Sequence, residues 1–341
     1  MKFVMLRAPI KQTVVEWEGQ IAKNDSAYED IETATDYWTV FANEMLRYFD
    51  EVEIWYGENS EHPRGFFCHS TGLIERYFRE DYVSTEIEKV PDVLFVRGDH
   101  KEYYPVIERF TGSKLVYYPS GHYYCPNTKF PWDLCFVEDP RQLKEVKEKT
   151  NAETALFKKS CVDKYFTFWN CEKKYDVCFI GGAAEYKGKR ILLLKDILDA
   201  LDRKISVLVL GLKSKKLEEE FKDYPVHFQG FVNRKMIGNY MSKCRMGLVL
   251  ATVKGNGSPR VIQEFLAAGL PIVVSDKTVY SDYYINDRTG YVAYGDSKLP
   301  WTIMKCLEDT NKFDTRRYFL EELLMEDSVE NFISCLERLY I

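Results

Sequence analysis

No stretch of the 341-residue chain approaches the roughly 18 consecutive apolar residues that a membrane-spanning helix requires. The opening MKFVMLRAPIKQ has too short an apolar run for a secretory signal. A cytoplasmic protein is therefore expected. Paired cysteine spacing is missing too: nine cysteines are scattered singly, with no C-x-x-C, and an odd number fits poorly with a complete disulfide framework. That points to a reducing compartment. Positive charge is outweighed, and a net charge of -6 argues against an extended basic surface for nucleic acid or acidic lipid. A phosphate-bearing small molecule is the better anionic partner. Tandem repeats and low-complexity tracts are absent, and no Asp/Glu cluster has magnesium-ligand spacing.

What the chain does contain is an ordinary soluble balance of 45% hydrophobic and 29% charged residues, enough to bury a sizeable core. At roughly 150 residues per domain, the length suggests two domains. Aromatics reach 15%, enough to supply sugar-stacking platforms, although any single one is first of all a core or surface residue. Short apolar runs recur between helix-like stretches: KFVMLRAP (2–9), EVEIWYG (51–57), PDVLFVRG (91–98), KLVYYPS (114–120) and DLCFVED (133–139). Runs of this length read as strands of an α/β sheet. The polar stretch from 140 leads into a second alternation: DVCFIGG (176–182), ISVLVLGL (205–212), VHFQGFV (226–232), MGLVLAT (246–252) and PIVVSD (271–276), with helical segments between. Such alternation implies parallel strands with right-handed crossovers. The expected organisation is an N-terminal Rossmann-like domain over 1–150, a linker over 151–172 and a C-terminal Rossmann-like domain over 173–325. A C-terminal helix, 326–341, is placed back against the first domain. Two facing doubly wound domains create a cleft beyond the carboxyl ends of their strands.

The segment GNGSPRVIQEFLAAGLP (255–271) carries the sharpest local signal. Ser258 suits an N-cap and Pro259 the first helical position. Val261, Ile262, Phe265, Leu266 and Ala268 form an apolar arc, and Gly269 with Pro271 supplies a stop. Arg260 and Glu264, four residues apart, share one flank of this helix. An arginine near a helix N-terminus opposes the dipole by roughly 0.3 to 1 kcal/mol unless an anion is present. Free N–H groups, Arg260 and the glycines Gly255 and Gly257 together suit a phosphate cradle; an ordinary Arg260–Glu264 surface pair fits the same pattern.

With these segments in order, the chain resembles the retaining glycosyltransferases of family 4, which have the GT-B architecture of two Rossmann-like domains. SCVDKYF is similar to the family's N-G-V-D-x-x-x-F linker, and CFIGGAAEYKGKRILL to its strand followed by G-R-x-x-x-x-K-G. VHFQGFVNRKMIGNYMSKCRMGLVLAT follows its G-x-V loop, helix and strand. GNGSPRVIQEFLAAGLPIVVSD resembles E-G-F-G-x-x-x-x-E-A-M-A-x-G-x-P-V-V-A, and INDRTGYVAYGD the later D-G-x-T-G. The likeness runs through most of 150–300, with only PDVLFVRG echoing it in the N-terminal half.

The resemblance implies a donor site. Lys187 matches the lysine that neutralises the donor diphosphate, and Glu264 the glutamate that holds the ribose hydroxyls. Gly230, Phe231 and Val232 match the loop lining the nucleobase pocket. Gly181 and Gly182 follow the first strand, and Gly257, Ser258, Pro259 and Val261 begin the helix facing the phosphates. Asn256 stands where the family has the glutamate that touches the donor sugar. Gly182 stands where it has a phosphate-binding arginine, a role open to Arg260 or Lys189. His122, in YYPSGHYYC, is a candidate contact to donor sugar or acceptor, with Asp99 and His100 further candidates. Cys68 beside His69 has no triad context.

The expected activity is transfer of a hexose, with retention, from a nucleotide-diphosphate sugar to a glycan, glycoprotein or other hydroxyl acceptor. GDP-mannose is favoured over UDP-sugars because mannosyltransferases are frequent in the family. No metal or other cofactor is expected, and a homodimer is compatible with the fold. Two rival readings stay open: a GT-B nucleotide-sugar-binding protein with weak or no turnover, and a GT-B nucleotide-sugar epimerase.

Overall fold

A strand buried along its whole length must be covered on both faces, and KFVMLR is such a strand: all six residues of β1 (Lys2–Arg7) are buried. The computed structural model describes residues 1–7, 15–17, 20–22, 31–32, 34, 36–56, 65–77, 89–119, 125–167, 171–181, 190–211, 213–251, 259–278 and 281–340. A hairpin, β2 (Val15–Trp17) and β3 (Gln20–Ala22), stands apart from two large sheets.

β1 sits inside an eight-stranded sheet. On one side follow β4 (Glu51–Tyr56), β6 (Ile74–Tyr77) and the edge strand β5 (Gly65–Cys68). On the other lie β7 (Val93–Arg97), β8 (Lys114–Tyr118), β9 (Leu134–Val137) and β10 (Glu153–Leu156). All neighbours pair in parallel except β5 with β6. The second sheet runs β13 (Val226–Gly230), β12 (Val207–Leu210), β11 (Tyr175–Ile180), β14 (Cys244–Val249), β15 (Ile272–Ser275) and β16 (Gly290–Ala293), all parallel. Chain order reverses between β1 and β7 in the first sheet and between β11 and β14 in the second, the switch points at which doubly wound sheets open a crevice. Two doubly wound α/β lobes, as the sequence leads one to expect, are the observed architecture.

Residue alternation decides what each face of the first sheet packs against. Phe3 and Met5 of β1, with Val93 and Phe95 of β7, face α1 (Tyr37–Glu44) and share its core of Tyr37, Trp38 and Phe41. Val4, Leu6, Leu94 and Val96 point the opposite way, toward α2 (Tyr104–Arg109) and α3 (Leu143–Thr150). In the second lobe, α4 (Leu193–Ala200) and α5 (Lys215–Glu220) contribute Leu194, Ile197, Leu198 and Leu217 to one core face. α6 (Ile237–Met241) and α7 (Val261–Ala267) cover the other.

After β16 come α8 (Leu299–Glu308), α9 (Thr315–Glu322) and α10 (Met325–Glu337). α8 and α9 stay with the second sheet. α10 returns to the first, where Val329, Phe332 and Cys335 join Phe3, Phe95 and Phe136; the Phe332 and Phe95 rings meet edge-on at 5.2 Å. The chain therefore crosses between lobes twice. The crossings are tied to each other, because the Ser160 hydroxyl donates to the Leu323 carbonyl and the Ser328 hydroxyl to the Lys158 carbonyl.

The helix after residue 258 is shorter than its sequence signals suggest. It spans Val261–Ala267, with Arg260 in the capping position and Pro259 one residue earlier, where its carbonyl accepts the Ile262 N–H at 3.0 Å. The first turn is thus wound tightly before regular α geometry begins. Gly269 ends the helix in a left-handed conformation (φ +73°), as its placement implied. Ile262, Phe265, Leu266 and Ala268 of the apolar arc are fully buried on β14 and β15 while Val261 is partly exposed, and a Cβ at Gly247 would lie 2.5 Å from the Phe265 ring. Only glycine permits that approach. Gly247→Val is expected to overpack the contact and cost about 1–3 kcal/mol; an unchanged urea unfolding midpoint would show that α7 does not dock in this way.

Candidate active site

The alternation that buries Phe3 and Met5 brings Arg7 onto the same face at the carboxyl end of β1, and the alternation of Val93 and Phe95 does so for Arg97 at the end of β7. Leu6 is in register with Val96, so the two arginines that follow sit beside each other on adjacent strands, roughly 4.8 Å apart at the backbone. Tyr56 flanks Arg7 and Tyr118 flanks Arg97 in the same row. Like charges placed side by side in a sheet repel. The sheet ends in a polar row that calls for negative charge.

Part of that charge is built in. Asp36 caps α1, accepting the Thr39 N–H at 2.9 Å, and its Oδ2 takes Arg7 Nη1 at 2.7 Å. Arg7 also donates to the Tyr56 hydroxyl at 3.2 Å. Burial opposes the Arg7 charge, yet Asp36 and Tyr56 outweigh it and hold the guanidinium above its ordinary pKa. For Asp36, burial pushes upward and is overcome by Arg7, then Arg260, the Thr39 N–H and Arg97, leaving the carboxyl well below the usual range.

Arg97 has no such acid among the described residues. Its guanidinium lies 4.3 Å from the Trp38 ring centroid and its Nε is buried without a partner. Burial and then the Arg7 charge pull its pKa down, against Asp36. Arg260 comes from the second lobe and stacks over Tyr37 of the first, 5.6 Å from the ring centroid. Its Nε too is buried and unpartnered, and burial followed by Arg234 lowers its pKa while Asp36 and Glu264 oppose. Both groups remain cations at neutral pH.

Three cation–acid pairs surround these arginines. Arg234 Nη2 reaches Glu264 Oε1 at 2.6 Å, joining the segment after β13 to α7. Glu264 is therefore the partner of Arg234 rather than of Arg260, and it is buried rather than on a surface flank. Lys159, in the first crossing, pairs with buried Glu138 at 3.0 Å, and Tyr118 donates to that carboxylate. Burial pulls the Lys159 pKa down, with Arg260 adding to the effect and Glu138 opposing it. With Arg7–Asp36 these make up three ion pairs, and Arg97 and Arg260 have no acid partner of their own among the described residues. No group of three or more His, Cys, Asp or Glu side chains among them is placed to hold a metal ion.

Of the residues singled out from sequence, Arg260, Glu264, Pro259 and Val261 begin α7 at this junction. Gly181 closes β11, donating to the Leu210 carbonyl at 3.1 Å, and Gly230 closes β13 with φ +81°, its carbonyl accepting the Gly211 N–H at 2.8 Å. These bonds align the carboxyl ends of β11, β12 and β13. Phe231 is exposed, and Val232 packs against the core under α7. Lys187, Asn256, His122, Gly182, Gly257 and Ser258, with Gly255 and Lys189, lie outside the described residues. Asp99 accepts from the Tyr104 hydroxyl at 2.8 Å, and His100 packs edge-on against Tyr103. His69 bonds Glu75 at 3.1 Å in a buried pair. Sequence reading passed over Arg7, Asp36, Arg97 and Arg234. The available signal was the strand phase, which places both strand-ending arginines in line with buried residues.

Residues 164–321 match the family model described as Glycosyl transferases group 1. A search of curated proteins by sequence finds no match. Among solved structures, sucrose-phosphate synthase from Thermosynechococcus elongatus superposes with a TM-score of 0.72 at 11% identity, over 99% of both chains. HepE from Anabaena, in complex with UDP and glucose, gives 0.69 at 12% identity over 99% of this chain and 100% of its own. The α,α-trehalose 6-phosphate synthase from Burkholderia multivorans gives 0.70 at 9% identity over 99% and 98%. The fold is GT-B, and the family match with these neighbours supports a glycosyltransferase. No helix among the described residues is long and apolar enough to cross a membrane.

Asp36→Asn should expose how far the row depends on its acid. Removing one partner of a buried pair costs about 3–5 kcal/mol. Because the folded-state pKa of Asp36 is depressed, its contribution is present above the ordinary carboxylate pKa of about 3.9 and fades as pH falls below it. Urea unfolding midpoints of wild type and variant should therefore lie far apart at pH 7 and draw progressively closer as pH is lowered from about 4 to about 2, without meeting; a constant separation would contradict the assignment.

Proposed function

We propose that the protein is a retaining glycosyltransferase that moves a hexose from a nucleoside-diphosphate sugar to a hydroxyl acceptor without a metal ion. The observation that carries this reading is Arg260, at the start of α7, which reaches across to Tyr37 of the first lobe with its Nε buried and no acid of its own among the described residues. A leaving diphosphate supplies the missing negative charge. α7 has seven residues, so the Arg260 guanidinium rather than the helix dipole supports a phosphate at this place. Lys187 is assigned to the same diphosphate.

In this mechanism the bond between the sugar C1 and the phosphate oxygen breaks, and its electron pair stays with the nucleoside diphosphate. The acceptor oxygen attacks the same face of an oxocarbenium-like sugar and gives its proton to the departing phosphate. Arg260, fixed before the reaction, stabilises the charge that develops on that oxygen, the kind of preorganisation that is commonly the largest catalytic contribution. Glu264 is assigned to the ribose hydroxyls. Arg234 occupies Oε1, and Oε2 has no hydrogen-bond partner among the described residues. Gly230, Phe231 and Val232 are assigned to the base, and Asn256 and His122 to sugar or acceptor. GDP-mannose is the donor that family frequency favours; the UDP and glucose held by HepE bring UDP-sugars into the same test.

Incubation with a panel of GDP- and UDP-sugars, following binding heat, sugar release and the anomeric configuration of the product, tests the reading. Transfer with retained configuration is expected. Binding without turnover would identify a nucleotide-sugar-binding protein, and release of nucleoside diphosphate with an altered free sugar an epimerase. Glu264→Gln should weaken affinity for the bound nucleotide about tenfold, roughly one charge-assisted hydrogen bond, whereas unchanged affinity would remove Glu264 from the ribose. Lys187→Ala should slow transfer at least a hundredfold with an unchanged melting temperature; transfer at the wild-type rate would reject its role.

A further inference from the structure

The charge on the N-terminal lobe exceeds what a donor diphosphate needs. Arg7 is neutralised by Asp36 at 2.7 Å, Arg234 by Glu264 at 2.6 Å and Lys159 by Glu138 at 3.0 Å. On the second lobe Arg260 remains for the diphosphate, with Lys187 assigned beside it. On the first, Arg97 is left over.

Its surroundings are those of a ligand site rather than of a structural ion pair. Arg97 ends β7 at the switch point, its guanidinium stacked on the Trp38 ring. Its Nε is buried with no acceptor among the described residues. Tyr103, at the start of the next helical segment, is 3% exposed, and its hydroxyl likewise has no partner. The two groups are close enough to interact electrostatically, the phenol favouring the guanidinium charge. A planar guanidinium held over an indole, with a phenol near enough to interact with it, presents donors suited to an oxyanion. A buried guanidinium N–H and a buried hydroxyl left without acceptors are both costly.

We propose that Arg97 and Tyr103 bind an anionic group on the acceptor, so that the acceptor is a sugar bearing a phosphomonoester or a carboxylate. The inference rests on the transferase reading, which assigns the second lobe to the donor and leaves the first for the acceptor. Phosphate and carboxylate share the chemistry that this pocket recognises. Arg97 thereby becomes a specificity-determining residue on the acceptor side, and the two anions bound in the cleft are held by different arginines.

Calorimetric titrations distinguish the possibilities. UDP and GDP are titrated first; glucose 6-phosphate, glucuronate, inorganic phosphate and uncharged glucose are then titrated into protein saturated with whichever nucleotide binds. At least one anionic sugar is expected to bind ten times or more tightly than glucose, and the better of the two identifies phosphate or carboxylate. Arg97→Gln should weaken that binding at least tenfold and leave nucleotide affinity within twofold, while Arg260→Gln does the reverse. Arg97→Lys should restore part of the loss. Tyr103→Phe, which keeps the ring and removes only the hydroxyl, should weaken the anionic sugar several-fold without altering the melting temperature. The proposal is overturned if anionic sugars displace the nucleotide, if they bind no better than glucose, or if Arg97→Gln weakens nucleotide and anionic sugar alike. Failure of both nucleotides to bind would count instead against the transferase reading.

Discussion

Two arginines on neighbouring strands, in one row and on one buried face, set the problem that the rest of the cleft answers. The Arg7 charge works against that of Arg97, second only to burial. Strand phase forbids an easy escape, since shifting either arginine by one position would move every residue of its strand to the other face. The fold answers with the cap of α1. Asp36 fixes the start of the helix, takes the Arg7 guanidinium and lends its field to Arg97 and Arg260. One carboxylate serves three cations. The junction is thus electrostatically unfinished, with no acid among the described residues paired to Arg97 or Arg260.

The same residues connect the lobes. Arg260 belongs to α7 of the second lobe but rests on Tyr37, the residue after the α1 cap in the first. α7 is in turn held by the tight contact of Phe265 on Gly247 and by the Glu264–Arg234 pair. The two chain crossings, bonded to one another through Ser160 and Ser328, leave the lobes joined along one side. An anion held by Arg260 lies against Tyr37 of the first lobe as well, which links its binding to the spacing between the lobes.

Much of this was legible in the sequence where a local rule had no rival. Alternating apolar runs and helices fixed the α/β class, and strands such as EVEIWY and VLVL were recognisable from burial on both faces. Gly269 marked the end of α7 because only a left-handed residue fits there. The start of α7 was less legible, since Ser-Pro reads as a cap and first turn while the regular helix begins at Val261. Strands β5 and β6 escaped notice because a short edge hairpin buries too little to leave a pattern, and β10 because its alternation, E-T-A-L, is half exposed. At the site, Arg260 and Glu264 were visible as a four-residue pair, but the actual partner of Glu264, thirty residues away in the chain, was not. Arg7 and Arg97 were hidden for a related reason. Each looks like the polar end of a strand, and only the register that sets them side by side shows their common purpose.

A structure of the protein with a bound nucleoside diphosphate measures the central claim most directly. The account predicts the diphosphate at the junction of the lobes, with its oxygens within hydrogen-bond distance of the Arg260 guanidinium and the ribose beside Glu264. A diphosphate bound elsewhere, with the Arg260 guanidinium still without an anion, would contradict it.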